Sequence, residues 1–433
     1  MTSQSAGERI DELRDARRRL RALIDDLPDA ALSVPMTAIV NPPLWEIGHV
    51  AWFQELWTLR HSAGSASLRE DSDRWYDSAA VHHDTRWHLD LPSREATLAY
   101  MDAVLDATCS RLEGDPRDDR DDYFHRLVTY HEDMHGEALV YTRQTLGLPA
   151  PKLAARSSAE IAGGGPWVGD VHVPGGTFAL GANRSTPFAF DNEKWEHART
   201  VAPFRIARAP VTQNEFAQFV DAGGYERREW WSAAGWQWRS TNGASAPWHW
   251  RRDSDGSWLR VHFDSQVELE PHRPIVHVSW FEAEAYCSFA GRRLPTELEW
   301  EVAASATIDE KGAFSAVKRP FPWGDAPPNA ALAHLDLAFD GACDVGSFAD
   351  GDSALGCRQM IGNVWEWTSS DFAPYPDFVV DPYKEYSAPW FGDHKVLRGG
   401  CFATRSRLIR NTWRNFYTPN RRDVLAGFRT CAR

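Results

Sequence analysis

The spacing of apolar residues changes near residue 150. Before that point they return at helical intervals. Ile10, Leu13, Leu20, Leu23 and Ile24 repeat near 3.6 residues across Arg9–Leu27, and Pro28 ends the run. A second helix is predicted from Pro43, where the missing N–H of a first-turn proline costs nothing. It carries His49, Trp52, Phe53, Leu56 and Trp57 to about His61. Ser93 caps a third, with Leu98, Met101, Val104 and Leu105 inward. A fourth covers about Tyr123 to Leu146, and Gly147 follows as the residue that turns the chain away. Four such helices predict a bundle over residues 1–150. The Asp-rich run Asp115–Asp122 reads as a solvated loop between the last two helices.

Residues 151–169 are small, Gly-rich and without periodicity, which marks a linker. From 170 to 433, short strand-like pieces such as Val171–Val173 and Phe204–Ile206 alternate with Gly, Pro and Asn turns. Two helices are expected there, at Thr212–Ala222 and Ser279–Ala290. The fold class is therefore α+β, with a helical first domain and a mixed second one. Residues 232–260, rich in Trp and Gly, form a long insertion whose role the sequence leaves open. Walling an active-site tunnel between the domains is one option.

Composition narrows the setting. No apolar run reaches bilayer length, and Met1-Thr2-Ser3-Gln4 lacks the basic and apolar segments of a secretion signal. The six cysteines are scattered without a CxxC pair, as in a reduced cytoplasmic protein. A net charge of −14 without a basic tract argues against nucleic-acid or anionic-membrane partners. A cytoplasmic monomer acting on small molecules is the expectation. The 21 tryptophans suit a second domain built from short, aromatic-stapled segments.

The candidate chemistry lies in Tyr130-His131-Glu132-Asp133-Met134-His135. Four residues apart on a helix, His131 and His135 share one face. His49 sits on a separate apolar helix. Three neutral imidazoles from two packed helices hold a divalent metal on one face and leave coordination positions open. Two other readings compete. His131-Glu132-x-x-His135 also fits the zinc-hydrolase pattern with Glu132 as base, although Tyr141 stands where an extended form of that pattern needs a third histidine. A non-catalytic ligand-binding module is the other.

A resemblance adds to this. Val173-Pro174-Gly175-Gly176-Thr177-Phe178, Pro274-Ile275-Val276-His277-Val278-Ser279-Trp280, Arg293-Leu294-Pro295-Thr296-Glu297, Gly362-Asn363-Val364-Trp365-Glu366-Trp367 and Leu397-Arg398-Gly399-Gly400 occur in the family order of formylglycine-generating (sulfatase-modifying-factor) enzymes, a variant of the C-type-lectin fold. The helical half resembles the DinB-like bundle. Fused in this order, the two resemble the ergothioneine-biosynthesis sulfoxide synthases and the related selenoneine synthases. Those are non-haem iron enzymes that use O2 to attach sulfur or selenium to the imidazole of hercynine. A formylglycine-generating activity is not implied, because Cys401 has no second cysteine nearby.

The resemblance implies Fe(II) held by His49, His131 and His135, with O2 as co-substrate. It implies a catalytic Tyr375 that donates a proton or hydrogen atom, with Tyr383 and Tyr386 as alternatives. Asn415 and Phe416 fall where the family holds hercynine, whose quaternary ammonium suits an aromatic face. Arg421 and Arg86 fall near positions that clamp donor carboxylates. Two departures bear on the donor. Tyr417 stands where relatives that use gamma-glutamylcysteine carry an acid, and Met134 stands where they tend to carry Gln. Both suggest a donor other than gamma-glutamylcysteine, free cysteine or a selenosugar; the selenosugar of a selenoneine synthase is favoured, and a sulfoxide synthase using cysteine or gamma-glutamylcysteine is the alternative.

Overall fold

The structure is a computed structural model that describes residues 5–114, 119–153 and 164–433. It divides into two compact units, Met1–Leu153 and Ala154–Arg433.

The first unit contains α1 (Ala6–Ala22), α2 (Pro43–Gln54), α3 (Ser72–Tyr76), α4 (Arg94–Gly114) and α5 (Asp119–Thr145). Ser5 and Glu8 form a reciprocal cap at the start of α1. Pro43 opens α2, which runs on through a π-helical segment, Glu55–His61, to the predicted end. α1 packs on α4 and α5, α2 packs on the same two, and α3 lies against α2. At the end of α5, Gly147 takes φ 63° and the Leu148 N–H reaches the Arg143 carbonyl at 2.9 Å.

Several expectations need correction. Regular helix in α1 starts at Ala6 and ends at Ala22, although Leu23, Ile24 and Leu27 are still buried through the following turn. The acidic run is not a solvated loop over its whole length. Residues 115–118 lie outside the described residues, but Asp119–Asp122 are the first turn of α5. Asp121 is buried on Arg111 and Asp122 pairs with Arg9, both at 2.6 Å. Opposing arginines from α4 and α1 make acid tolerable there, and local composition does not show them. Of the predicted linker, residues 154–163 lie outside the described residues. Gly165 already belongs to the second unit, its N–H on the Asp344 carboxylate at 3.0 Å.

The second unit is built from short strands: β1 (Asp170–Val173), β2 (Gly176–Leu180), β3 (His197–Val201), β4 (Phe204–Ala207), β5 (Trp250–Arg252), β6 (Trp258–His262), β7 (Ser265–Glu268), β8 (Arg292–Arg293), β9 (Trp365–Asp371), β10 (Lys395–Arg398), β11 (Asn415–Tyr417), β12 (Ala426–Gly427) and β13 (Cys431–Ala432). They form sheets of order β1-β4-β13-β8, β11-β10-β9-β12, β2-β3 and β5-β6-β7. The predicted strands at 171–173 and 204–206 pair antiparallel, Val171 opposite Ile206. Helices α6 (Gln213–Asp221), α7 (Ala233–Asn242), α8 (Trp280–Phe289) and α9 (Glu297–Ser305) fill the connections. Thr212 with Glu215, Ser279 with Glu282 and Thr296 with Glu299 cap α6, α8 and α9 reciprocally. The 232–260 insertion is α7 followed by β5 and most of β6.

Val171, Val173, Phe178, Leu180, Ile206 and Trp300 anchor this unit's core. Charge is buried beside it. Arg398 donates to Glu297 at 2.7 Å and Glu301 at 2.6 Å, Arg414 to Glu297 at 2.7 Å, and Arg429 to Glu366 at 2.6 Å. Each charge is matched, which buried ions require. All six cysteine side chains are buried. Among the described residues, no helix is long and apolar enough to cross a membrane.

Candidate metal centre

α2 supplies His49, and α5 supplies His131 and His135 one turn apart. One ring nitrogen from each falls in a group lying within 4.8 Å of one another. The Nε2 atoms of His131 and His135 are 3.2 Å apart, a spacing that suits two nitrogens each about 2.1 Å from one ion. His49 Nδ1 lies 2.8 Å from the Tyr76 carbonyl, and His135 Nδ1 lies 2.8 Å from Glu46 Oε1. Both partners accept, so in the neutral rings Nδ1 carries the proton and Nε2 presents a lone pair. Burial first, then the His135 ring, holds His49 well below its ordinary range, against the pull of the Tyr76 carbonyl. Burial, His135 and His49 do the same for His131. Neutral, oriented imidazoles are what a divalent metal needs. The donor set fits such an ion.

The walls explain the orientation. Phe53 stacks on His131 with centroids 3.6 Å apart, and Trp45 stacks on His49 at 4.9 Å. The Tyr76 ring lies flush against α2 at Gly48, where a Cβ would come within 2.3 Å of it. Glycine at this place lets the Tyr76 backbone come within reach of His49.

Glu132 does not play the part a zinc hydrolase would give it. It is 2% exposed and its carboxylate is held by Arg17, with Nε on Oε1 at 2.7 Å. Arg17 also donates to Gln54 at 2.7 Å, so Glu132 belongs to a buried tie across the bundle.

Sequence reasoning missed Glu46 and Tyr76. A signal existed for Glu46, since it precedes His49 by three residues and so shares its helix face. None existed for Tyr76, which acts through its carbonyl from a five-residue helix.

Of the other predicted residues in this unit, Arg86 caps the stack on His49, its guanidinium 3.9 Å from the Trp45 centroid. It also donates to Asn41 Oδ1 at 2.6 Å. Met134 is half-buried on α5 beside His135.

The remaining candidates lie in the second unit. Tyr375 is buried, and its hydroxyl has no hydrogen-bond partner among the described residues. Burial raises its phenol above the ordinary range, opposed by Arg414 and reinforced by Glu297 and Glu301. The Arg414 guanidinium lies 4.1 Å over its ring and 4.9 Å over Phe372. Phe372 in turn stacks on Phe416 at 4.0 Å, so Tyr375 and Phe416 are linked through two neighbours. Asn415, Phe416 and Tyr417 form β11. Arg421 sits 4.8 Å over the Tyr417 ring and holds Asp423, with Nε on Oδ1 at 2.6 Å.

Comparison with known proteins agrees with both halves. Residues 164–433 match the sulfatase-modifying factor enzyme 1-like domain, and residues 12–141 match the DinB superfamily. A hercynine oxygenase of Mycolicibacterium thermoresistibile is 38% identical over 96% of this chain and 93% of its own length. That of Mycolicibacterium smegmatis is 37% identical over 97% of each chain. A formylglycine-generating enzyme of Streptomyces coelicolor is 32% identical over 65% of this chain and 96% of its own. The last likeness covers about two thirds of the chain, whereas the first two cover nearly all of it, and the chain belongs to the hercynine oxygenase family.

Proposed function

We propose that this protein is a non-haem Fe(II), O2-dependent enzyme that forms a carbon–chalcogen bond on the imidazole of hercynine. The carrying observation is the cluster of His49, His131 and His135, with Nδ1 of two rings committed to Tyr76 and Glu46, in a chain of this family. Bound by these three neutral ligands, Fe(II) would supply O2 activation and a docking point for an anionic sulfur or selenium donor. His49, His131 and His135 would hold it, and Phe53 and Trp45 would exclude water from their outer faces. Asn415 and Phe416 would bind hercynine, the Phe416 ring meeting the trimethylammonium group. Tyr375 would act as proton donor at Oη, since burial keeps its phenol protonated. Arg86 and Arg421 would meet the donor, at the hydroxyls of a selenosugar or the carboxylates of a thiol amino acid.

For the donor, a selenosugar is the reading that Tyr417 and Met134 support, because Tyr417 brings no carboxylate to the ammonium group of gamma-glutamylcysteine and Met134 brings no amide to the hercynine pocket. A thiol donor is the second reading, supported by the 37% and 38% identity to hercynine oxygenases across nearly the whole chain. The test is a competition assay read by mass spectrometry. Fe(II)-loaded protein is given hercynine with cysteine, gamma-glutamylcysteine and a selenosugar together, then O2. A selenium adduct is expected. A sulfoxide adduct assigns the thiol donor, and no hercynine adduct at all overturns the function.

A further inference from the structure

The 232–260 insertion makes specific contacts with the segment Tyr417–Asp423. Arg422 is the junction. Its Nη2 donates to Glu282 Oε1 at 2.8 Å and to the carbonyl of Ala246 in the insertion. Its guanidinium lies 5.4 Å from the Trp238 centroid on α7. Glu282 is fully buried and serves three partners at once. Oε2 takes the Ser279 N–H at 2.7 Å and the Ser279 hydroxyl at 2.8 Å, while Oε1 also accepts from the Tyr225 hydroxyl. A residue that caps α8 therefore anchors the loop to a fixed helix end.

Two further ties close the strap. His277 Nδ1 donates to the Arg422 carbonyl at 3.1 Å, and the Trp280 N–H to the Pro419 carbonyl at 3.1 Å. His249, from the insertion, packs edge-on against His277 at 4.9 Å while stacking on Trp248 at 4.8 Å. His249 and His277 both hold left-handed backbone, φ 74° and 59°, a conformation that persists in bulky residues where surroundings over-determine it. Of the adjacent side chains, Arg421 lies over the Tyr417 ring and holds Asp423.

We propose that Arg422, held by Glu282, Ala246 and Trp238, is a positioning residue that fixes the Tyr417–Arg421 face and thereby sets the affinity for the donor. This rests on the reading that the segment binds the donor. Arg422 itself need not touch it. The insertion is then a brace for the loop.

The test uses the full-length protein. Hydrogen–deuterium exchange of peptides covering 415–423 is measured for Arg422→Met, Arg422→Lys and Trp238→Leu, alongside KM and kcat with hercynine and each of selenosugar, gamma-glutamylcysteine and cysteine. Arg422→Met and Trp238→Leu are expected to speed exchange in these peptides and raise KM for the accepted donor about tenfold, a modest fraction of what a misplaced binding group costs. Their kcat and the hercynine KM stay within about twofold, and Arg422→Lys restores part of the loss. Unchanged exchange overturns the proposal, as does a uniform fall in kcat with rising KM for both substrates. Arg421→Ala separates the two layers. If it leaves donor KM unchanged, the donor-binding reading fails. If it raises donor KM while Arg422→Met does not, only the brace fails.

Discussion

In the helical unit the buried polar atoms around His49, His131 and His135 are presented, whereas in the second unit those of Glu297, Glu301, Glu366, Arg398, Arg414 and Arg429 are consumed by one another. The first arrangement leaves lone pairs aimed at a common point. The second leaves almost no unmatched charge and ties together strands too short to be stable by their ladders alone. The difference teaches where to look for chemistry. Trp365-Glu366-Trp367 and Leu397-Arg398-Gly399-Gly400 are the conspicuous motifs of this chain, yet Glu366 and Arg398 are structural. The candidate metal-binding constellation sits in plain helices.

This contrast can be broken at several points. The largest effect is expected from His131→Ala, which should abolish hercynine conversion and iron retention while the circular dichroism of the bundle persists. Its loss should exceed the roughly 10–100-fold cost of removing an outer hydrogen-bond partner. Retained iron would show that the cluster is not the ligand set. In the second unit, Glu366→Gln leaves Arg429 buried without its counter-charge. It should cost about 3–5 kcal/mol in urea unfolding with iron per folded molecule unchanged.

Acid should loosen the fold through histidines that no metal argument involves. Burial brings His334 down to about 3 and His277 to about 4, the latter opposed by the Arg422 carbonyl. The unfolded chain therefore binds protons below about pH 6.5 that the folded chain does not. Stability is then full above that pH and falls as pH drops toward 4, by up to about 1.4 kcal/mol per pH unit for each such histidine. His334→Leu should flatten the profile by one proton's slope, measured as urea midpoint against pH. An unaltered slope would mean His334 is not a source of it. The smallest effect belongs to Glu46→Gln, expected to weaken iron binding about 10–100-fold without changing the urea midpoint. Unaltered affinity would remove Glu46 from the site.

Much of this was legible in the sequence, for identifiable reasons. A 3.6-residue period and a four-residue His spacing are local, so the helices and the candidate ligand pair could be read directly. The helices expected at Thr212–Ala222 and Ser279–Ala290 are local in the same sense, and the structure caps them within one turn, Thr212 with Glu215 and Ser279 with Glu282. What failed was long-range. Arg17 claims Glu132 across 115 residues of chain, and Arg9 claims Asp122 across 113. Neither pairing leaves a mark in the composition near either residue. The insertion was visible as a Trp-rich stretch, but its contacts with Arg422, through the Ala246 carbonyl and the Trp238 ring, leave no local mark.

Gly48 carries a consequence for anyone seeking a more heat-resistant form. In the middle of a helix, glycine to alanine ordinarily gains about 1 kcal/mol, and buried helical glycines are natural targets for it. Here the added methyl would meet the Tyr76 ring at 2.3 Å and push away the carbonyl that orients His49. Helix propensity and ligand geometry thus compete for one position. The enzyme keeps a weaker helix at the place where its candidate metal ligand must be aimed.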